Sequence, residues 1–161
     1  MNRVTFARFS RAMLAACTLI LTFSSASATD NGIVKVERKY ALTETVERLK
    51  KDVADKGIKF FQEIDQARLA GDAGIKINPS VLLVFGNPPL GTLFIKANPV
   101  AGLDWPVRLL VYQDESGAVW TAYTDFAYIA RRHNIVGNDI KPFETASGVI
   151  ASITSSVAKS K

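Results

Sequence analysis

Cysteine and histidine are nearly missing from this sequence of 161 residues, with Cys17 and His133 the only examples of each. One histidine cannot build the two- or three-histidine sites that catalytic zinc uses, and one cysteine makes neither a disulfide nor a thiolate cluster. The acids are not clustered, so no carboxylate cage for calcium or magnesium is legible, and neither a metal nor a cofactor is expected. There is no Gly-x-Ser-x-Gly elbow, which leaves a hydrolase triad without a visible nucleophile. Long apolar runs are scarce too. The run from Ala12 to Phe23 falls short of the roughly 20 residues a membrane-spanning helix needs, and no other stretch approaches it.

That run reads instead as the core of an export signal. Met1 to Arg11 is basic, Ala12 to Phe23 is uncharged, and Ala26-Ser27-Ala28 puts small residues where a signal peptidase reads. Cleavage is expected after Ala28, giving a soluble periplasmic or secreted product. Leu14-Ala15-Ala16-Cys17 also resembles a lipoprotein box, but the apolar segment runs on past Cys17, which disfavours acylation there. With the signal gone the chain has no thiol.

The formal net charge of +5 invites a nucleic-acid or membrane reading. However, Arg3, Arg8 and Arg11 lie in the signal, and without them 17 basic groups face 15 acidic ones, a net of +2. Such a balance leaves no footprint for a phosphate backbone, so no nucleic-acid partner is expected.

What is present organises itself around Val81-Leu82-Leu83-Val84-Phe85, an apolar run stopped by Gly86-Asn87-Pro88-Pro89. It reads as a buried central strand that delivers a stiff loop to the surface. Before it, Ile33 to Arg38 alternates as a half-buried strand, and Thr43 is placed to cap a helix running to Lys56 and ended by Gly57. Ile58 to Asp65 reads as a strand and Gln66 to Gly74 as a short helix. Leu90 to Ala97 is ambiguous between helix and strand. Val107 to Gln113 and Ala118 to Thr124 make a hairpin through Asp114-Glu115-Ser116-Gly117. Asp125 opens a helix that closes on Arg131, Arg132 and His133. From Pro142 to Lys159 the apolar positions recur at helical spacing. Strands flanked by helices imply an α+β domain with a mainly antiparallel sheet and the helices packed on one face. The domain is bounded at residues 33–135, with 1–28 as signal and 136–161 as a C-terminal helical extension.

Several pieces, in this order, resemble the domain-of-unknown-function 302 family. They are Thr45-Val46-Glu47-Arg48-Leu49 with Lys56-Gly57, Phe85-Gly86-Asn87-Pro88 with Gly91-Thr92, Leu103-Asp104-Trp105-Pro106, and Gly117-Ala118-Val119-Trp120 with Tyr123. The resemblance implies a two-layer fold of the TATA-binding-protein kind, in strand, helix, four-strand, helix order, and no activity. Two positions depart from the family pattern: Gln66 stands where histidine is frequent, and Trp105 where an aliphatic residue is usual.

The residues left to carry function are few. Gly86 and Asn87 on the proline-stiffened loop, with Asp104, Trp105 and His133, form the candidate ligand site. Each also has a plain structural role as turn, cap or packing residue. The leading expectation is a non-catalytic envelope module that binds a small molecule or another envelope protein. The alternatives are an acid/base enzyme using Asp104, Asp65 or His133, and a sheet module that associates with a second copy of the chain.

Overall fold

Asp114 fixes the hairpin. Its carboxylate accepts hydrogen bonds from the Ser116 N–H at 2.9 Å, the Ser116 hydroxyl at 2.6 Å, the Ala118 N–H at 3.0 Å and the Trp120 indole at 2.7 Å. Gly117 closes the turn at φ +88°, a conformation open to glycine at no steric cost. The four donors, led by Ser116 and then Trp120, hold the Asp114 carboxyl below its ordinary value of 3.8. A depressed carboxylate contributes stability above its unfolded-state pKa and loses it as pH falls through the folded one. Acidification below about pH 4 is therefore expected to loosen the hairpin before the rest of the molecule. Hydrogen exchange of the Ala118 amide and the Trp120 indole checks this, and Asp114→Ala should remove the acid step.

The computed structural model describes residues 31–159. The signal-peptide reading and its cleavage site therefore lie outside the described residues. The elements are β1 (Ile33–Glu37), α1 (Leu42–Asp55), β2 (Lys59–Asp65), α2 (Gln66–Asp72), β3 (Ser80–Gly86), α3 (Pro88–Ala97), β4 (Val107–Gln113), β5 (Val119–Thr124), α4 (Phe126–Arg132) and α5 (Lys141–Ser155), with 3-10 turns at Pro99–Asp104 and Gly137–Ile140. All neighbouring strands pair antiparallel in the order β1-β5-β4-β3-β2. The expected α+β sheet is thus present, with one strand before α1 and four after it, α2 and α3 being set between those four. β3 is an internal strand, but β4 takes the middle position. Nor is the Val81 to Phe85 run buried throughout: Val81, Leu83 and Phe85 face the core, whereas Leu82 and Val84 point to the other face and are half-buried.

The core-facing side chains Leu83, Phe85, Leu109 and Val111 meet Val46, Leu49 and Val53 of α1, Phe126 and Ile129 of α4, and Phe143, Ile150 and Ile153 of α5 in one apolar cluster. Each fully buried side chain of this size contributes about 1.5–3 kcal/mol, which explains why the amphipathic stripes of these helices all turn inward. The helix read from the sequence as a C-terminal extension is thus part of the core. Phe143 stacks on Phe94 of α3, ring centroids 3.9 Å apart and planes 11° from parallel. Arg38, just beyond β1, pins α5 to the sheet. It donates from Nε to the Thr121 hydroxyl and from Nη1 to the Thr154 carbonyl, both at 2.7 Å. Burial pulls its pKa down to about 10, so it stays a cation at neutral pH.

Two local expectations are corrected, the Thr43 cap and the proline loop, and one open reading is resolved. The cap of α1 is Ala41, with no side-chain cap bond, and Thr43 lies inside the helix. The ambiguous stretch is helical: Asn87 caps α3, and Pro88 and Pro89 occupy its first turn, where their missing N–H groups have no partner to lose. The proline pair therefore starts a helix and forms no free loop. Edge strand β2 carries a bulge, because the register jumps between Phe60 and Gln62 and leaves Phe61 unpaired.

Candidate functional site

Where β3 hands over to α3, a cleft forms around Trp105. The Asn87 side chain accepts from the Leu90 N–H at 3.3 Å and fixes the start of the helix. This puts Gly86 and Gly91 side by side under the indole. A Cβ at Gly91 would lie 1.9 Å from Trp105 Nε1, and one at Gly86 would lie 3.0 Å from it. Only bare backbone at Gly91 lets the ring lie so close, and at Gly86 a side chain would press on it. Trp105 follows the 3-10 turn and is joined to Pro106 by a cis peptide bond. Phe61, bulged out of β2, meets it edge to face, with centroids 6.1 Å apart at 83°.

Beneath the ring, Phe85, Phe94, Phe126, Ile150 and Ile153 floor a cavity of about 30 Å³. That is room for about two water molecules or the tip of an alkyl chain. The Trp105 indole N–H has no acceptor among the described residues, and neither does the Asn87 side-chain amide. The cleft thus offers an apolar floor and two neutral donors at its rim.

Asp104 and His133 form a separate cluster. His133 Nε2 and Asp104 Oδ2 are 2.6 Å apart, and each side chain is 5% exposed. Arg132 Nη1 lies 3.4 Å and Arg108 Nη2 3.8 Å from Asp104 Oδ1. The Asn98 amide donates to the His133 carbonyl at 3.0 Å, and Arg108 donates to the Leu103 carbonyl at 3.0 Å. The Asn98 and Asp104 contacts clamp both ends of the 3-10 turn to the C-terminal end of α4, and Arg108 ties the turn to β4. Because burying a charge is costly unless it is paired, the two arginines and the histidine explain why Asp104 can sit inside. No hydroxyl hydrogen-bonds the histidine among the described residues, and no group of three His, Cys, Asp or Glu there is arranged to hold a metal.

The five candidate residues are therefore divided. Gly86, Asn87 and Trp105 share the cleft. Asp104 and His133 share the clamp, and Val107 and Phe126 stand between, lining both the cleft and the small polar depression beside Asp104. Asp65 joins neither. It caps α2, accepting from the Arg68 N–H at 2.9 Å, and it pairs across β3 at Val81, about four residues or 13 Å along the strand from the Phe85 end where the cleft lies. Gln66, at the other departure from the family pattern, accepts from the Ser80 hydroxyl at 2.7 Å. Sequence reasoning missed Phe61, Gly91 and Asn98 as site residues. Only Gly91 had left a signal, as the second glycine flanking Asn87-Pro88-Pro89.

Comparison with known proteins gives the family and the fold. Residues 34–154 match the model of the family described as "Domain of unknown function DUF302", a span that includes α5. A crystal structure of the uncharacterized conserved protein DUF302 from Bacillus stearothermophilus shares the fold, with a TM-score of 0.69 at 18% identity over 76% of this chain and 95% of that one. "Fluoride-specific ion channel FluC 1" of Brucella suis is 36% identical over 128 residues, 78% of this chain and 50% of that protein. "Fluoride-specific ion channel FluC 2" of Brucella melitensis is likewise 36% identical, over 47% of its own length. The chain spans about half the length of these curated relatives. Among the described residues no helix is long and apolar enough to cross a membrane. With the family model covering β1 through α5, the chain belongs to the DUF302 family.

Proposed function

We propose that this protein is a non-catalytic binding module of the cell envelope, exported by its N-terminal signal, whose cleft beside Trp105 takes a small, mostly apolar molecule carrying one acceptor oxygen. One observation carries the reading: an indole N–H without a partner among the described residues, held over an apolar floor by a close approach to Gly91 that a side chain there would displace. Apolar pockets with a few placed polar groups are the usual form of small-molecule sites. Since the cavity measures only about 30 Å³, a ligand longer than a short alkyl tip extends out of the cleft or lifts the Trp105 ring from Gly91.

A series of 2-alkanones tests this, read by Trp105 emission in a Trp120→Phe background. Affinity should rise about fourfold per added methylene until the floor is covered, following roughly 0.8 kcal/mol per buried CH₂. Gly91→Ala, which displaces the ring, should abolish the response. Emission unchanged across the series at millimolar ketone would sink the proposal. Fluoride, suggested by the names of the relatives, should leave the emission unchanged, because two neutral donors do not replace the hydration shell of so small an anion.

Acid/base catalysis has the 2.6 Å Asp104–His133 contact in its favour. Both side chains are turned into a clamp whose other partners are arginines and backbone, with no reacting group beside them, and this supports the binding reading over it.

A further inference from the structure

Four of the large apolar side chains left in solvent gather about the 3-10 turn: Leu93 at 41% exposure, Val100 at 57%, Leu103 at 67% and Val136 at 76%. Val100 and Leu103 project from the turn itself. Leu93 comes from α3, the element that leads into the turn. Val136 follows His133 by three residues, within about 10 Å of the Asn98–His133 bond that joins turn to helix. Exposed cations adjoin these side chains: Arg108 and Arg132, 56% and 51% exposed and gathered on Asp104 at the end of the turn, Arg131 beside Arg132, and Lys96, one helical turn beyond Leu93. Asp104 lies buried beneath Arg108 and Arg132. The one exposed acid within three residues of any of these side chains in the sequence is Asp139.

We propose that this turn is an anchor for an anionic bilayer surface. Val100, Leu103 and Val136 enter the boundary between headgroups and acyl chains, and Arg108, Arg132 and Lys96 meet lipid phosphates. An apolar tip ringed by cations is the arrangement that holds peripheral proteins in such an interface, each basic group contributing about fivefold to partitioning. A protein partner fits less well. The exposed apolar side chains here, Leu93, Val100, Leu103 and Val136, are all aliphatic, whereas protein interfaces concentrate aromatics in a well-packed centre. The anchor does not depend on the cleft binding anything.

The test uses the full chain with vesicles of brominated phosphatidylglycerol, which quench tryptophan at the depth of the bromines. Trp105, two residues past Leu103, is read in Trp120→Phe, and Trp120, at the hairpin, in Trp105→Phe. Trp105 should be quenched at least twofold more than Trp120. The pair Val100→Ser/Leu103→Ser should erase that difference, and Arg108→Gln should weaken it severalfold. Leu69→Ser, which removes one exposed apolar side chain from α2, should leave it intact. Val100, Leu103, Arg108 and Leu69 are exposed, so each variant is compared with its own tryptophan-to-phenylalanine parent, and an unchanged melting temperature verifies folding. Any attachment through the apolar N-terminal segment is common to every variant and would not produce the difference. Equal quenching of the two tryptophans, or quenching of Trp105 untouched by the serine pair, overturns the proposal.

Discussion

Phe143→Ala is expected to cost about 3–5 kcal/mol, the range for a large buried ring replaced by a cavity. Phe143 is 1% exposed, and its ring lies flat against Phe94, which in turn meets Phe126 edge to face at 6.0 Å. Removing it therefore unpacks α5 from α3 and α4 together. In a domain of this size the loss lowers the melting temperature by on the order of 10 °C or more. Urea or thermal unfolding measures it. Phe143→Leu, which keeps most of the volume, should cost less than about 1.5 kcal/mol. A cost for the alanine variant below about 1 kcal/mol would mean that α5 is an appendage after all.

Asp104→Ala is the second large effect, about 3 kcal/mol, because it strips a buried histidine of its partner and leaves two arginines without the carboxylate that gathers them. A double-mutant cycle with His133→Ala isolates the contact, and a coupling of at least about 1 kcal/mol is expected at 2.6 Å. The Trp105 environment should change as well, since the 3-10 turn that carries it loses its clamp to α4. Additive single-variant costs with Trp105 emission unaltered would show that the turn holds its place without Asp104.

The two variants mark where the sequence could and could not be read. The hairpin was legible because its signals are local: segments rich in β-branched and aromatic residues on both sides, and an Asp114 to Gly117 turn whose chemistry needs nothing from elsewhere. α4 was legible for the same reason, with Asp125 accepting from the Ala127 and Tyr128 N–H groups at its start. α5 was legible as a helix, but the spacing of Phe143, Ala146, Ile150 and Ile153 says only that one face is buried and not what it is buried against. Pro88-Pro89 misled because a proline that ends one element also suits the first turn of the next, and only the position of the Asn87 cap decides between them. The pairing of Asp104 with His133 spans 29 residues and two strands, a separation across which no local pattern reports contact. The division of the candidate site followed from this. Asp104 and Trp105 are neighbours in sequence, and consecutive side chains on such a turn point different ways.

The unpaired Phe61 on β2 has a consequence for the chain in crowded company. An outermost strand with an unbroken row of free amide and carbonyl groups invites another copy to dock along it, and repetition of that docking is how fibrils begin. Here the row is interrupted at Phe61, and the ammonium of Lys59 sits 5.4 Å from the centre of the Phe61 ring. A second copy approaching this margin meets a kink and a charge, so the geometry that lends Trp105 its neighbour also guards the sheet against growing by repetition.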